Sequence, residues 1–391
     1  MQAAHKNRHI FLTAAACVTV LGLAGAFGLA QGAPGAPGGR GQRGGPAFVQ
    51  VPGYFATGAN AARVQNQIPV THDTIAVLDA LPATAPAVPK KPRKIFVFAR
   101  AVGFVHSNIP LAAFTMKALG DKTGAWSTTI SYDLADFTAA NLAQYDAIML
   151  DNTTGTFLDD SDAAATAARH QALLDFVNSG KGLIMVHAAG DSYHDNGTGG
   201  FTPGARGAAR GAGRGEGAAR GPAAAGARRG PFTPRPSRPF ADAPTSLWPA
   251  YSAMVGGFFK WHWPYPQIIS VHLDDPKSPI LAGYHGQDFT IHDETYTFAG
   301  FSPKNVHVLT SIDYAKMSDA DKAKEDFKRP DHFYALSWLH RVGNGRVFYQ
   351  AHGHDEHVYA NTAYLEELLA GTQYALGDLK ANDAPGNVKL N

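Results

Sequence analysis

The chain has 391 residues, enough for more than one domain, and 45% hydrophobic with 10% aromatic residues give it the material for a substantial core. A formal charge of +2 at pH 7 argues against a strongly charged partner. The single cysteine, Cys17, lies in a segment expected to be removed, which would leave no thiol for disulfides, cysteine-ligated metal or cysteine catalysis.

Residues 1–30 read as a secretory signal. His5, Lys6 and Arg8 precede an apolar run from Ile10 to Ala30, and Gly28 and Ala30 offer small residues for cleavage before Gln31. The alternative is an uncleaved anchor, because the run is long enough to span a bilayer. The expectation is therefore export to the periplasm or beyond, with no membrane contact once the signal is cleaved. Residues 31–46 are rich in Gly, Pro and Arg and form an expected flexible leader. Residues 47–93 are mixed and read as an N-terminal extension packing on the domain that follows.

From Lys94 to about residue 380, strand and helix signals alternate as in an α/β doubly wound, mostly parallel sheet. Ile95–Ala99, Thr128–Tyr132, Ala147–Leu150 and Leu183–Val186 are the expected strands, and continuous runs such as IFVFA and LIMV mark strands covered on both faces. Helices are expected after Pro110 and over Ala163–Val177, stopped by Ser179-Gly180. The rhythm stops over residues 202–239, which are rich in Arg, Ala and Gly and read as a disordered insertion. An Arg-Gly stretch can bind polyanions, but without interleaved aromatics a solvated linker is the better reading, and no nucleic-acid partner is expected. Order returns near Leu247. Gln267–Leu273, Phe289–Phe298, Val306–Ser311, Phe333–Leu339 and Arg346–Gln350 follow as expected strands, then a closing helix over Thr362–Leu376, weakened at Gly371, and a polar tail over 381–391.

Ligands bind open parallel sheets beyond the carboxyl ends of the strands, where loops meet helix N-termini. Polar residues gather at those ends. Gly103-Phe104-Val105-His106-Ser107 follows the first strand, His187-Ala188-Ala189-Gly190-Asp191-Ser192 the fourth, and Gly353-His354-Asp355-Glu356-His357 the last.

GFVHSNI, GKGLIMVHAAGDS, LWPAYSAMVGGFFKWHWP, HDETYTF and GNGRVFYQAHGH, in that order over roughly residues 94–376, resemble the ThuA-like family, associated with bacterial sugar and trehalose utilisation. The resemblance implies a flavodoxin-like sheet similar to class I glutamine amidotransferases. Those enzymes carry a cysteine on the turn after a central strand, where this chain has Val186-His187-Ala188-Ala189-Gly190. Without a thiol or hydroxyl at that turn, amide hydrolysis lacks its attacking atom. Ser107 and Ser192 are the candidate substitutes, and neither lies in a G-x-S-x-G elbow.

Acid-base chemistry or metal binding is left. His187, Asp191, His354 and Glu294 are the candidate catalytic residues, with Asp191 expected to fix the tautomer of its loop neighbour His187. His106, Ser107, His262, Tyr296 and Trp338 are candidate substrate-binding residues, since sugar C–H faces stack on rings and hydroxyls seek polar groups. Asp293 and Glu294 sit in an expected strand, so only one should face the pocket, and Glu294 shares a face with Tyr296. No closed zinc spacing such as H-E-x-x-H occurs, and no metal ligands are assigned; a divalent ion among converging histidines stays open. The leading expectation is an exported enzyme acting on a disaccharide or keto-sugar by hydrolysis, elimination or isomerisation. Its rival is a non-catalytic carbohydrate-binding or interaction module on the same scaffold.

Overall fold

Apolar runs set the strands, and the computed structural model, which describes residues 68–195, 245–263, 267–326 and 328–390, shows where each one lies. The signal at 1–30, the leader and extension up to residue 67, and the insertion at 202–239 fall outside the described residues. Leaving aside 3₁₀ and single-turn helices, the elements in chain order are α1 (Thr71–Ala80), β1 (Lys94–Phe98), α2 (Ile109–Thr123), β2 (Ser127–Ser131), β3 (Ala147–Asp151), α3 (Ala163–Asn178) and β4 (Gly182–Val186). A short pair, β5 (His194–Asp195) and β6 (Thr245–Ser246), precedes α4 (Pro249–Val255), β7 (Phe258–His262), β8 (Ile268–Leu273), β9 (Phe289–His292) and β10 (Tyr296–Ala299). The chain continues through β11 (His307–Ile312), β12 (Ala335–Val342), β13 (Gly345–Gln350) and α5 (Thr362–Ala375). Among the described residues no helix is long and apolar enough to cross a membrane.

The main sheet among the described residues has nine strands in the order β2-β1-β3-β4-β13-β12-β11-β8-β9. From β2 to β13 neighbouring strands run parallel. This is the flavodoxin-like order, in which the chain steps outward from β1 to β2 and returns past β1 to β3. β3 and β4 are buried along their whole length, as strands covered on both faces must be. Beyond β13 every pairing is antiparallel. β8 there alternates buried with exposed or half-exposed positions, the pattern of a strand with one wet face.

The expected strand over Phe289–Phe298 is broken. β9 pairs with β8 in the main sheet, whereas β10 pairs with β7 in a separate two-stranded sheet. Asp293 to Thr295 form the step between them, and the reason lies in what Asp293 binds, described below.

The closing helix is continuous through Gly371, because this glycine marks a contact and not a weak point. A Cβ there would sit 2.3 Å from Cε1 and 2.4 Å from Cδ1 of the buried Phe348 ring. Alanine in a helix interior ordinarily gains about 1 kcal/mol over glycine. Overpacking a rigid core costs about 1–3 kcal/mol. The clash wins, and Gly371→Ala is expected to lower stability by about 1 kcal/mol in denaturant melts rather than raise it.

Segments flanking the sheet on both sides in sequence are tied to the same helix and sheet. The Gln373 amide accepts from Ala87 N at 2.9 Å and donates to Ala87 O at 2.6 Å, and the Arg93 guanidinium grips Asp378 through two nitrogens. The polar tail is docked too, with the Asn387 amide bonding both Val308 N and Val308 O at 2.8 Å.

At the carboxyl end of β3, burial pushes the Asp151 carboxyl up to about 8, only partly opposed by the Asn152 amide. The folded protein therefore keeps this proton while the unfolded chain loses it near pH 3.9. Stability should fall as pH rises from about 4 to about 8, because folding takes up a proton throughout that window. Asp151→Asn removes this slope, so its advantage over wild type in thermal melts should grow between pH 5 and pH 8. A difference independent of pH would contradict the assignment.

Candidate functional site

Three parallel strands deliver the polar loops to one rim. His106 lies beyond β1 and just ahead of α2, His187 is the residue directly after β4, and His354 follows β13. Glu294 comes from the step between β9 and β10. One ligating atom from each of these four side chains lies within 4.8 Å of all the others.

His187 is held hardest. Its backbone has φ +43°, a left-handed conformation that strains a residue with a Cβ by about 1–2 kcal/mol. Such strain persists only where neighbours impose it, and it concentrates at functional turns. Here the Tyr349 hydroxyl donates to His187 O at 2.6 Å, and His187 Nδ1 donates to Ala351 O at 2.7 Å, so β13 and the residue after it clamp the turn. Since a carbonyl can only accept, Nδ1 carries a proton and Nε2 faces the pocket. Tyr296 lies over the ring, with centroids 4.3 Å apart.

Nε2 of His187 is 3.4 Å from Glu294 Oε2 and 3.3 Å from His354 Nδ1, which is itself 3.3 Å from Glu294 Oε2. The His106 ring stands edge-on to both other imidazoles at 5.0 Å between centroids. It is buried, and its Nδ1 has no hydrogen-bond partner among the described residues. His262, on β7 at the rim, places Nδ1 3.1 Å from Glu294 Oε1 and 2.8 Å from Trp263 O, so both carboxylate oxygens are engaged.

Burial penalises charge throughout this pocket. It holds His106 well below the usual imidazole range, with His354 and His187 adding repulsion. For Glu294 burial favours the neutral acid, yet His354, His187 and His262 overcome it and hold the carboxylate well below its ordinary range. Burial likewise works against a proton on His354, but the Glu294 charge outweighs it and raises this imidazole to about 9. Glu294 and His354 thus form an ion pair at neutral pH.

Asp293 explains the broken strand. Its fully buried carboxylate accepts backbone N–H from Gly353 at 2.7 Å, from His354 at 3.4 Å and from Asp355 at 3.0 Å. It is a template for the loop that carries His354, and burial is outweighed by His352 and the neighbouring histidines, which keep it ionised. Both carboxylates consequently serve the same loop, one from beneath and one at the histidine ring. The strict alternation expected of a continuous strand does not hold once residues 293–295 leave the ladder.

The other expected site residues fall at different distances from this centre. The Asp191 carboxylate bonds His194, so the tautomer of His187 is set by Ala351 O and not by Asp191. Ser107 donates to Glu356 Oε1 at 2.6 Å, joining the first and last loops. Tyr296 is buried and orients His187 rather than lining open space. Trp338 is fully buried in the core, stacked on Tyr349 at 4.3 Å and donating to Val255 O at 2.8 Å, which leaves it no face for a sugar. Phe104 was passed over in the sequence although it is 48% exposed with its ring 4.7 Å from that of His106. A large apolar side chain in an otherwise small and polar loop was the available signal.

A solved structure described as a ThuA-like protein, from Bacteroides uniformis, is similar at 17% identity, covering 74% of this chain and 93% of its own, with a TM-score of 0.49. A second one so described, from Parabacteroides merdae, is similar at 15% identity, covering 75% and 93%, with a TM-score of 0.44. No curated protein matches the sequence. The sequence profile described as "ThuA: Trehalose utilisation" matches residues 94–219 and 240–375. That match takes in both the parallel half of the sheet and all four pocket residues, and the chain belongs to the ThuA family of trehalose utilisation.

Proposed function

We propose that the protein is an exported sugar-processing enzyme that acts on a disaccharide or an oxidised keto-sugar at the pocket of His106, His187, Glu294 and His354. The observation that carries this reading is the convergence of four ionisable side chains from four distant segments on one strained, largely buried centre. Family membership supplies the sugar. Among the described residues the pocket has no thiol, and the Ser107 hydroxyl beside His106 is committed to Glu356. Imidazoles and a carboxylate suit chemistry on the protons and oxygens of the substrate.

At its mouth, Phe104 offers an exposed ring for the C–H face of a sugar, and half-exposed His262 offers polar contact to a hydroxyl. Groups whose proton affinities are pushed apart in one site suit acid-base work, since one can give a proton where another takes it. Without a bound ion His354 holds its proton at pH 7 while His106 is neutral, so one can give a proton and the other take it. Export rests on the basic and apolar character of residues 1–30. The partner is a small carbohydrate and not a nucleic acid, in keeping with the near-zero net charge.

Incubating the mature protein with a panel of glycosides and their keto forms tests the reading. Turnover of at least one keto-glycoside or disaccharide is expected. Binding of sugars without turnover of any would replace the enzyme with a carbohydrate-binding module.

A further inference from the structure

His187 Nε2, His354 Nδ1 and Glu294 Oε2 form a triangle whose sides are 3.4, 3.3 and 3.3 Å. A tetrahedral ion with bonds of about 2.0–2.1 Å holds its ligand atoms about 3.3–3.4 Å apart. The triangle is thus already one face of such a polyhedron. The fourth member, His106, is buried and offers a ring nitrogen within 4.8 Å of the other ligating atoms, and its Nδ1 has no hydrogen-bond partner among the described residues. A buried imidazole nitrogen without a hydrogen bond is costly unless something fills its lone pair.

We propose that His106, His187, Glu294 and His354 bind one divalent transition-metal ion through a nitrogen of each imidazole and a Glu294 carboxylate oxygen. Three imidazoles and one carboxylate suit zinc, manganese, iron, cobalt or nickel, and not magnesium or calcium, which prefer oxygen throughout. The outer contacts are those of a metal centre. Nδ1–H of His187 is anchored on a backbone carbonyl, the second oxygen of Glu294 is held by His262, and Asp293 fixes the backbone of His354. His354 is 19% exposed, so the site opens toward solvent on one side, as a catalytic site does and a closed structural site does not. For its catalytic consequence the inference rests on the sugar-processing reading: an ion with an open position would polarise a sugar carbonyl or hydroxyl. Binding itself is read without any turnover.

The test uses the mature protein stripped with chelator, titrated with Co²⁺ by visible absorption and with Zn²⁺ by calorimetry. One equivalent of Co²⁺ per pocket is expected to give the intense bands of a low-coordinate site, displaced by Zn²⁺. Glu294→Gln and His106→Ala should each weaken Zn²⁺ binding by at least about 100-fold, beyond the ~10–100-fold that loss of an outer partner costs. The neighbouring group of His292, Asp355 and His357 is the internal control, and His357→Ala should leave the affinity unchanged. Far-ultraviolet circular dichroism identifies any variant that fails to fold, and either pocket variant alone suffices. Absence of saturable binding, or binding lost in His357→Ala and kept in Glu294→Gln, overturns the proposal. Turnover by a protein that binds no metal would sink this inference and spare the enzyme, whereas metal binding without turnover would do the reverse.

Discussion

Replacing His187 or His354 by alanine will lower kcat on the sugar substrate by about 10³-fold or more, while sugar affinity changes only a few-fold. A loss of that size corresponds to about 4 kcal/mol of transition-state stabilisation. The asymmetry follows from position. Both imidazoles face Glu294 inside the pocket, whereas the groups placed to hold a sugar, Phe104 and His262, sit at its mouth. Glu294→Gln should behave alike, because the amide keeps the shape but removes the charge that both His187 and His354 face. Single-turnover kinetics beside equilibrium sugar binding will separate the two effects. Equal losses in affinity and rate would move these residues from chemistry to binding.

Asp293→Ala is expected to be the most destabilising single change near the site, at about 3–5 kcal/mol, the range for stripping a partner from a buried ion. Three backbone N–H groups, of Gly353, His354 and Asp355, lose their acceptor at once in a place where water cannot replace it. Asp293→Asn keeps one acceptor oxygen and should fall between wild type and Asp293→Ala. Activity should fall with it even at temperatures where the variant stays folded, because the loop presenting His354 loses its template. Denaturant unfolding will measure the first effect and residual kcat in the folded variant the second. An Asp293→Ala protein as stable as wild type would remove the template role.

The parallel half of the sheet was legible because β1, β3 and β4 are written as unbroken apolar runs, and no other placement hides both faces of such a strand. From those strand ends, the convergence of His106, His187 and His354 on one rim follows with little further information. Residues 289–298 were not legible in the same way. Alternation predicts one strand, but the pull of three backbone N–H groups on Asp293 turns the chain out of the ladder, a long-range effect that no local pattern carries. Trp338 misled for a similar reason. A tryptophan stacked on Tyr349 in a core and one lining a sugar site look identical in sequence, since only tertiary neighbours tell them apart. Asp191 and His187 are close in sequence, yet the 3₁₀ turn between them sends their side chains to different partners.

The account stands on the claim that the four-sided pocket performs chemistry on a sugar. Its most direct test is the rate of product formation from keto-glycosides and disaccharides, measured side by side for the wild type and Glu294→Gln at matched, saturating substrate. The wild type should turn over at least one of them and Glu294→Gln should be slower by about 10³-fold. A wild type that turns over none, or a Glu294→Gln protein as fast as the wild type, would contradict it.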